Sequence, residues 1–294
     1  MSSFQKTSAA VFKSMRPAHW IKNFLIFIPA VFAGTIFYSD NLRAGIIGFL
    51  AFSLVSSSIY IINDLFDIQK DKLHPVKKHR PIASGKIGVA LAVALAAILF
   101  FASVLLNMFM LPASAVIVLL CYFVLNLSYS AGLKNIPILD LVILASGFVL
   151  RVVYGAILTG TPISNWLYLV IIFFSFYLGL GKRRNELTMN MSKSRDVLKY
   201  YSLNFLDKNM LVCMALTIVF YSLWCLEVAS KTIHTINLIF TVPLVIIIYM
   251  RYSMNLEKGE YGDPTEIVIK DKVLISLILF YCAIMIFALY GYHV

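Results

Sequence analysis

An apolar run, Ala44–Ile62 (AGIIGFLAFSLVSSSIYII), leads without a break into an acidic ladder, Asn63–Asp71 (NDLFDIQKD). An apolar stretch of this length crosses the hydrocarbon core of a bilayer as a helix. A basic segment, Lys72–Gly85 (KLHPVKKHRPIASG), then separates the ladder from the next apolar run. This junction of membrane helix, acids and cations points to an integral membrane protein with a charged loop at one membrane surface.

Composition supports a membrane protein along the whole chain. The 294 residues are 61% hydrophobic and only 13% charged, and the mean hydropathy is +0.86. Soluble domains carry about 25% charged residues, and a soluble core of this length could not hide so many apolar side chains. We predict one all-α integral membrane domain over residues 1–294, built as a nine-helix transmembrane bundle.

Nine apolar stretches are long enough to span a bilayer as helices. They are Trp20–Tyr38, Ala44–Ile62, Ile87–Leu106, Met110–Leu127, Ile136–Leu158, Trp166–Leu180, Met210–Val228, Ile233–Met250 and Val273–Gly291.

The net charge of +11 is distributed asymmetrically across these spans. Of the 25 Lys and Arg residues, 22 lie in the N-terminal segment and alternate loops on one side, whereas Arg43 and Lys231 lie on the other and Arg151 lies inside a span. Such an excess marks the cytoplasmic side. We therefore predict a multi-pass protein of the plasma (inner) membrane, with a cytoplasmic N-terminus and the C-terminus outside. The cations then give no reason to expect nucleic-acid binding.

The ladder residues Asn63, Asp64, Asp67 and Asp71 recur at helical spacing. Like charges at that spacing destabilise a bare helix, but a divalent cation among them reverses the effect. Oxygen ligands suit Mg²⁺, which takes one or two carboxylates together with substrate phosphates. The spacing therefore favours a Mg²⁺ site, and the alternative is a solvated helix end with incidental acids.

Cations that could bind phosphate surround the ladder. Arg80 lies beyond it in the motif RPIASG, and arginine binds phosphate through a bidentate fork. The alternative for these cations is the topology rule together with attraction to anionic lipid, and it explains the neighbouring Lys77, Lys78 and Lys86 well. Lys22, early in the first span, and Lys134, just before the fifth, are candidates to line the same cytoplasmic cavity.

Two further groups carry chemistry. In GLGKRRNEL, Lys182, Arg183 and Glu186 could close the cavity opposite the ladder, although a helix end with one ion pair explains them as well. Asp140 and Arg151 share a face of the fifth span, and ionisable groups there normally face a bundle interior or a wet cavity. Together these residues indicate a cavity for Mg²⁺ and a diphosphate, and the lipid setting favours a polyisoprenoid substrate.

The motif NDLFDIQKD and the count of nine spans resemble the UbiA superfamily of intramembrane prenyltransferases. The superfamily's aromatic prenyltransferases usually carry a second DxxxD-type motif after the sixth span, where this chain has KRRNEL with the single acid Glu186. That departure, together with MRPAHWIKNFLIFIPAVFAG, HPVKKHRPIASG, LKNIPILDLVILASGFVLRVVYGA and GDPTEIVIKDKVL, is similar to the branch of decaprenyl-phosphate phosphoribosyltransferases.

This resemblance implies transfer of 5-phosphoribose from phosphoribosyl pyrophosphate (PRPP) to a polyprenyl phosphate, with Mg²⁺ as cofactor and release of diphosphate. In mycobacteria and their relatives the product feeds cell-wall arabinan synthesis. The same fold with a prenyl diphosphate donor and an aromatic acceptor is the alternative, and a transporter or lipid-binding protein without chemistry is a third. The sequence leaves the oligomeric state open, a homo-oligomer included.

The roles that follow are expectations. Mg²⁺ binds to Asn63, Asp64 and Asp67, with Asp71 binding it directly or through water, and Asp64, Asp67 and Asp71 count as catalytic. A larger set holds phosphate and ribose oxygens or orients the cavity wall: Lys22, Arg80, Lys134, Asp140, Arg151, Lys182, Arg183 and Glu186.

Overall fold

The computed structural model describes residues 3–74, 76–189, 196–231, 237–258 and 264–291, and within them the regular structure is entirely helical. The α-helices in chain order are α1 Ser3–Met15, α2 Ile28–Phe32, α3 Ser39–Phe66, α4 Ile68–Leu73, α5 Val89–Met110, α6 Ala113–Ala131, α7 Leu139–Thr159, α8 Asn165–Thr188, α9 Leu203–Lys231, α10 Val242–Glu257, α11 Pro264–Lys270 and α12 Lys272–Tyr290. The predicted all-α class is confirmed.

Eight helices of the described part are long and apolar enough to cross a membrane. They are α3, α5, α6, α7, α8, α9, α12, and α10 with the 3₁₀ turn that precedes it. Each falls on one of the predicted spans from the second to the ninth. Several extend into flanking charged sequence, as α8 does to Thr188. Residues 233–236 of the predicted eighth span, and residues 292–294 of the predicted outer C-terminus, lie outside the described residues.

The first predicted span, Trp20–Tyr38, does not form one long α-helix. Its region contains a 3₁₀ helix, Pro17–Phe27, followed by the short helix α2. Pro17 and Pro29 lack the backbone N–H that a regular helical ladder needs, and side chains of the 3₁₀ segment are drawn into hydrogen bonds with α3. A crossing by the first predicted span, and with it the count of nine crossings, is therefore not confirmed within the described residues.

The chain divides into two compact units. Unit 1 comprises Met1–Ile143 and Leu150–Thr161, and unit 2 comprises Leu144–Val149 and Pro162–Val294. The long helix α7 contributes to both units. The single-domain assignment of residues 1–294 stays a prediction.

Unit 1 is built around an aromatic core between its membrane helices. The ring of Phe52 on α3 lies 4.6 Å from that of Tyr122 on α6 and 5.4 Å from that of Tyr154 on α7. Gly155 allows the 3₁₀ segment to pass close to α7, because a β-carbon at this position would lie 1.9 Å from the carbonyl oxygen of Ile26. This packing brings the segment that begins at Pro17 against the ladder helix.

Unit 2 packs α8 along α9 and closes with α10, α11 and α12. The buried ring of Tyr177 on α8 meets that of Tyr249 on α10 at 5.0 Å. Asp271 connects α10 with α12. Its carboxylate accepts hydrogen bonds from Arg251 and Asn255 of α10 and from the first backbone N–H groups of α12. A carboxylate that caps a helix and pairs with arginine stabilises both ends of the connection.

Candidate active site

The ladder follows an almost continuous helical path where α3 passes into α4. Asp67 sits at the break, with φ −97° and ψ 7°. Its N–H still donates to the carbonyl of Asn63 at 3.0 Å, and the N–H of Asp71 donates to the carbonyl of Asp67 at 2.8 Å. The predicted stacking of these residues at the end of a membrane helix is thus present.

Asp64 and Asp71 are nearly inaccessible to solvent, at 2% and 3% exposure. Both are bound by Arg80, whose Nη1 donates to Asp64 Oδ1 at 3.0 Å and to Asp71 Oδ2 at 2.6 Å. Arg16 also donates to Asp64 Oδ1 through Nη2. A buried carboxylate is costly unless it is paired and hydrogen-bonded, and these guanidinium groups supply that pairing.

Asp67 is bound from a different direction. Lys134 Nζ, in the turn after α6, donates to Asp67 Oδ1 at 2.6 Å. Asn63 Nδ2 donates to Asp67 Oδ2 at 3.3 Å, and Ser130 Oγ donates to Asn63 Oδ1 at 3.2 Å. The four ladder residues therefore form two side-chain groups, Asp64 and Asp71 with arginines and Asn63 and Asp67 with Lys134 and Ser130, and the cations come from three segments of unit 1.

The donor set fits Mg²⁺ only in an open site. Among the described residues no three His, Cys, Asp or Glu side chains come close enough to form a metal centre by themselves. Yet the carboxylates of Asp64 and Asp71 converge on one cationic nitrogen of Arg80, so their oxygens can share a cation. Mg²⁺ usually takes one or two carboxylates and completes its shell with water and substrate phosphate, which is what this arrangement could offer.

Arg16 is a cation at this site that the sequence did not predict. Its backbone is left-handed, at φ 53° and ψ 58°, although the following residue is Pro17 and bulky residues rarely adopt positive φ. Its guanidinium pairs with Asp64 and lies 5.0 Å from the centre of the Tyr60 ring. The sequence showed only a cation before a proline, and its pairing arises when α1 packs on α3.

Arg151 lies in the interior of unit 1, at 4% exposure. Its guanidinium stands 4.9 Å from the rings of both Phe52 and Tyr122. Its Nε donates to Asn23 at 2.8 Å, and its Nη2 donates to Tyr122 at 2.9 Å. Asn23 in turn donates to Ser53 of α3 at 2.9 Å. Arg151 thus ties the 3₁₀ segment to α3, α6 and α7.

The other predicted site residues of unit 1 lie on these same elements. Asp140 is completely buried in the first turn of α7. Lys22 is half-buried on the 3₁₀ segment, beside Asn23. Contact of Lys22, Asp140 or Arg151 with substrate stays a prediction.

The second predicted cluster belongs to unit 2, in the last turns of α8. Arg183 has no solvent exposure, and its Nη1 donates to Glu186 Oε2 at 2.6 Å. Lys182 is half-buried beside it. The structure thus shows Glu186 paired with its neighbour at i−3. That Lys182, Arg183 and Glu186 close the cavity of the ladder stays a prediction.

These features agree with one family of membrane enzymes. The model of the UbiA prenyltransferase family matches residues 24–266. The chain belongs to the UbiA prenyltransferase family. It is accordingly an enzyme of a transferase family, and the interpretation as a transporter without chemistry falls away.

Curated relatives within this family extend over most of the chain. The chain is 33% identical over 290 residues to the decaprenyl-phosphate phosphoribosyltransferase of Mycolicibacterium smegmatis, covering 92% of this chain and 89% of that protein. It is 31% identical over 289 residues to the protein of the same name from Corynebacterium glutamicum, covering 95% and 86%.

Solved UbiA structures share the fold. A UbiA homolog from Archaeoglobus fulgidus bound to GPP and Mg²⁺ superposes with a TM-score of 0.74 at 18% identity, over 96% of this chain and 99% of that one. The apo UbiA homolog from Aeropyrum pernix K1 gives 0.62 at 16% identity, over 95% and 99%. These likenesses establish a UbiA-type membrane fold.

Proposed function

We propose that this UbiA-family enzyme transfers 5-phosphoribose from PRPP to a polyprenyl phosphate of the decaprenyl type and releases diphosphate. The observation that carries the proposal is that three carboxylates of the ladder are paired with Arg16, Arg80 and Lys134. Such a site holds metal ligands and phosphate ligands in contact with one another. The names of the relatives from M. smegmatis and C. glutamicum support the same transferred group and acceptor.

The ladder is the proposed seat of the metal. Asn63, Asp64 and Asp67 would hold Mg²⁺, with Asp71 binding directly or through water. Bound there, Mg²⁺ would neutralise charge on the departing diphosphate. The A. fulgidus homolog was solved with bound Mg²⁺, which supports divalent-metal use in this fold.

The cations have a second role once the donor binds. Arg80 and Lys134 now neutralise ladder carboxylates, and their N–H groups suit phosphate oxygens equally well. We infer that they turn part of their hydrogen bonding to the diphosphate or the lipid phosphate, and that Lys22 joins them. Lys182, Arg183 and Glu186 are proposed to hold the 5-phosphate and the ribose hydroxyls, while Asp140 and Arg151 orient the wall of unit 1.

The proposed reaction requires little proton transfer by protein side chains. An oxygen of the lipid phosphate attacks C1 of the ribose, the bond from C1 to the diphosphate oxygen breaks, and the electron pair leaves with diphosphate. Because the acceptor is already an anion, no strong general base is needed. Catalysis then depends on holding the two anions together and stabilising the developing charge.

The distribution of Lys and Arg residues supports a reaction on the cytoplasmic side of the membrane. The excess of cations on the ladder side supports a cytoplasm-facing cavity in the plasma membrane, where a soluble donor such as PRPP is available. The product would be a phosphoribosyl lipid, and supply of cell-wall arabinan precursors is the proposed pathway.

The test uses full-length protein purified in detergent. Incubation with PRPP, Mg²⁺ and polyprenyl phosphate should yield phosphoribosyl lipid by mass spectrometry, and chelation should abolish the product. Asp64→Asn and Asp67→Asn should lose turnover while remaining folded, and Lys86→Gln, at an exposed position in the same loop, should retain it. Transfer from a prenyl diphosphate to hydroxybenzoate, with none from PRPP, would establish the alternative instead.

A further inference from the structure

A cleft in unit 2 has the lining of a binding site for an amphipathic molecule. Its volume is about 270 Å³. One wall is apolar and comes from α9 and α10, with the residues Met210, Leu211, Met214 and Leu256. The other wall is polar and comprises Tyr177, Arg184, Asp207, Ser253 and Glu257. Apolar walls with a few converging polar groups characterise ligand sites.

The cleft lies where three membrane helices reach their charged ends. Arg184 stands in the last turns of α8, Asp207 in the first turns of α9, and Glu257 at the end of α10. Met210, Leu211 and Met214 lie further along α9 than Asp207, whereas Leu256 lies beside Glu257 at the end of α10. This order of charge followed by apolar surface is that of a lipid, whose headgroup sits at the membrane surface above its acyl chains.

Arg184 carries the donors that a phosphate needs. Its side chain is only 15% exposed, and its Nε donates to Asp207 Oδ1 at 2.5 Å. Its two terminal NH₂ groups donate to no residue of the described part of the chain. A guanidinium has five N–H donors, and a largely buried one with most of them unused beside a cleft is suited to hold phosphate oxygens.

The remaining charges select the headgroup. Among the described residues that line the cleft, two carboxylates, Asp207 and Glu257, accompany the guanidinium of Arg184, and these three groups carry a net charge of about −1. Glu257 is exposed and makes no hydrogen bond or ion pair with any residue that the structure describes. A purely anionic ligand would meet this carboxylate unfavourably, whereas a primary amine next to the phosphate would pair with it.

We propose that this cleft binds a zwitterionic phospholipid, phosphatidylethanolamine in chemical class, with the phosphate on Arg184, the amine at Glu257 and the start of an acyl chain along Met210, Met214 and Leu256. The residues that line the cleft all belong to unit 2, whereas the acidic ladder belongs to unit 1. This lipid binding goes beyond the proposed transfer reaction and does not depend on it.

The test is native mass spectrometry of full-length, delipidated protein titrated with phosphatidylethanolamine, phosphatidylglycerol, polyprenyl phosphate or inorganic phosphate. Phosphatidylethanolamine should bind best, and Arg184→Gln should weaken it about tenfold, the loss expected for one charged hydrogen-bonding group. The matched control Lys199→Gln, which removes an exposed cation paired with Asp196 outside the cleft, should bind like the wild type.

Two more variants separate the parts of the proposal. Glu257→Gln should abolish the preference for phosphatidylethanolamine over phosphatidylglycerol, and Met214→Trp should block lipid by filling the apolar wall. Should Arg184→Gln fail to fold, these two variants decide the matter. The proposal would be overturned if the wild type bound the two phospholipids equally, or bound polyprenyl phosphate or free phosphate more strongly than phosphatidylethanolamine. Full phosphatidylethanolamine binding by Met214→Trp would overturn it as well.

Discussion

Arg80 Nη1 donates to Asp71 Oδ2 at 2.6 Å, and this contact joins the basic loop to the last acid of the ladder. The acids and cations that stand next to each other in the sequence are therefore partners in the structure. In this structure the two signs of charge neutralise each other. We propose that each sign also binds a ligand of the opposite sign, which would explain why one short loop carries both.

Removal of the Arg80 guanidinium should leave two buried carboxylates with less pairing and the donor with one phosphate ligand fewer. We expect Arg80→Gln to lower turnover at least about 100-fold, the cost typical of removing one donor from a charge-stabilising site. Product formation at saturating Mg²⁺ measures it. Lys86→Gln in the same loop is the control, and an unchanged rate in Arg80→Gln would remove Arg80 from the site.

Two substitutions at Arg16 distinguish the cost of its left-handed backbone from the contribution of its charge. Arg16→Ala and Arg16→Gly both lose the ion pair with Asp64, but glycine adopts positive φ without steric cost. We expect Arg16→Gly to be more stable than Arg16→Ala by about 1 kcal/mol, in thermal or denaturant unfolding. Both should lose activity alike. Equal stability of the two variants would show that the backbone at this position carries no strain.

Substitution of Gly155 tests whether the 3₁₀ segment packs closely against α7. The added methyl group of Gly155→Ala would meet the Ile26 carbonyl at 1.9 Å, so a backbone must move, and we expect a loss of about 1–3 kcal/mol in the free energy of unfolding. Gly88→Ala has open space around the new β-carbon and serves as control. Comparable melting temperatures for the two variants would contradict the packing.

The stability that Asp271 gives to unit 2 should be lost at low pH. The Arg251 guanidinium beside Asp271 holds the pKa of that carboxyl well below its usual range. A lowered pKa in the folded state means that Asp271 stabilises the protein above the unfolded-state pKa, and that this stability is lost as pH falls through the folded-state pKa. We expect the melting temperature to fall below about pH 4.

Asp271→Asn supplies the comparison. It should lower the melting temperature at pH 7 and flatten the decline between about pH 4 and pH 2. Asp40→Asn, at an exposed position in the first turn of α3, should keep the wild-type profile. A wild-type slope in Asp271→Asn would show that other carboxylates govern acid unfolding.

Much of the site's layout was readable from local spacing. The distances between Asn63, Asp67 and Asp71 along the chain predicted stacking on a helical path, and the backbone hydrogen bonds follow it with one break at Asp67. Arg80 was singled out from RPIASG, and it does bind the ladder. Local pattern succeeded because these residues lie within a few helical turns of one another.

Partners distant in sequence escaped prediction. Arg16 counted only as a topology charge, and Ser130 was not considered, because nothing near either residue reveals that α1 and α6 pack beside the end of α3. The expected first span failed for the same reason. Its apolar composition suggested a regular helix, whereas prolines and the hydrogen bonds of Asn23 and Trp20 to α3 favour a tighter 3₁₀ path.

The sequence by itself determined the membrane class, eight of the spans, the acidic ladder and the family resemblance, because length, hydropathy and spacing are local properties. Only the tertiary structure decided that Asp64 is shared by Arg16 and Arg80, that Arg151 packs against the rings of Phe52 and Tyr122, and that Arg184 faces a cleft. These contacts depend on which faces of the helices pack together. Because a buried charge without a partner is costly, burial makes pairing necessary.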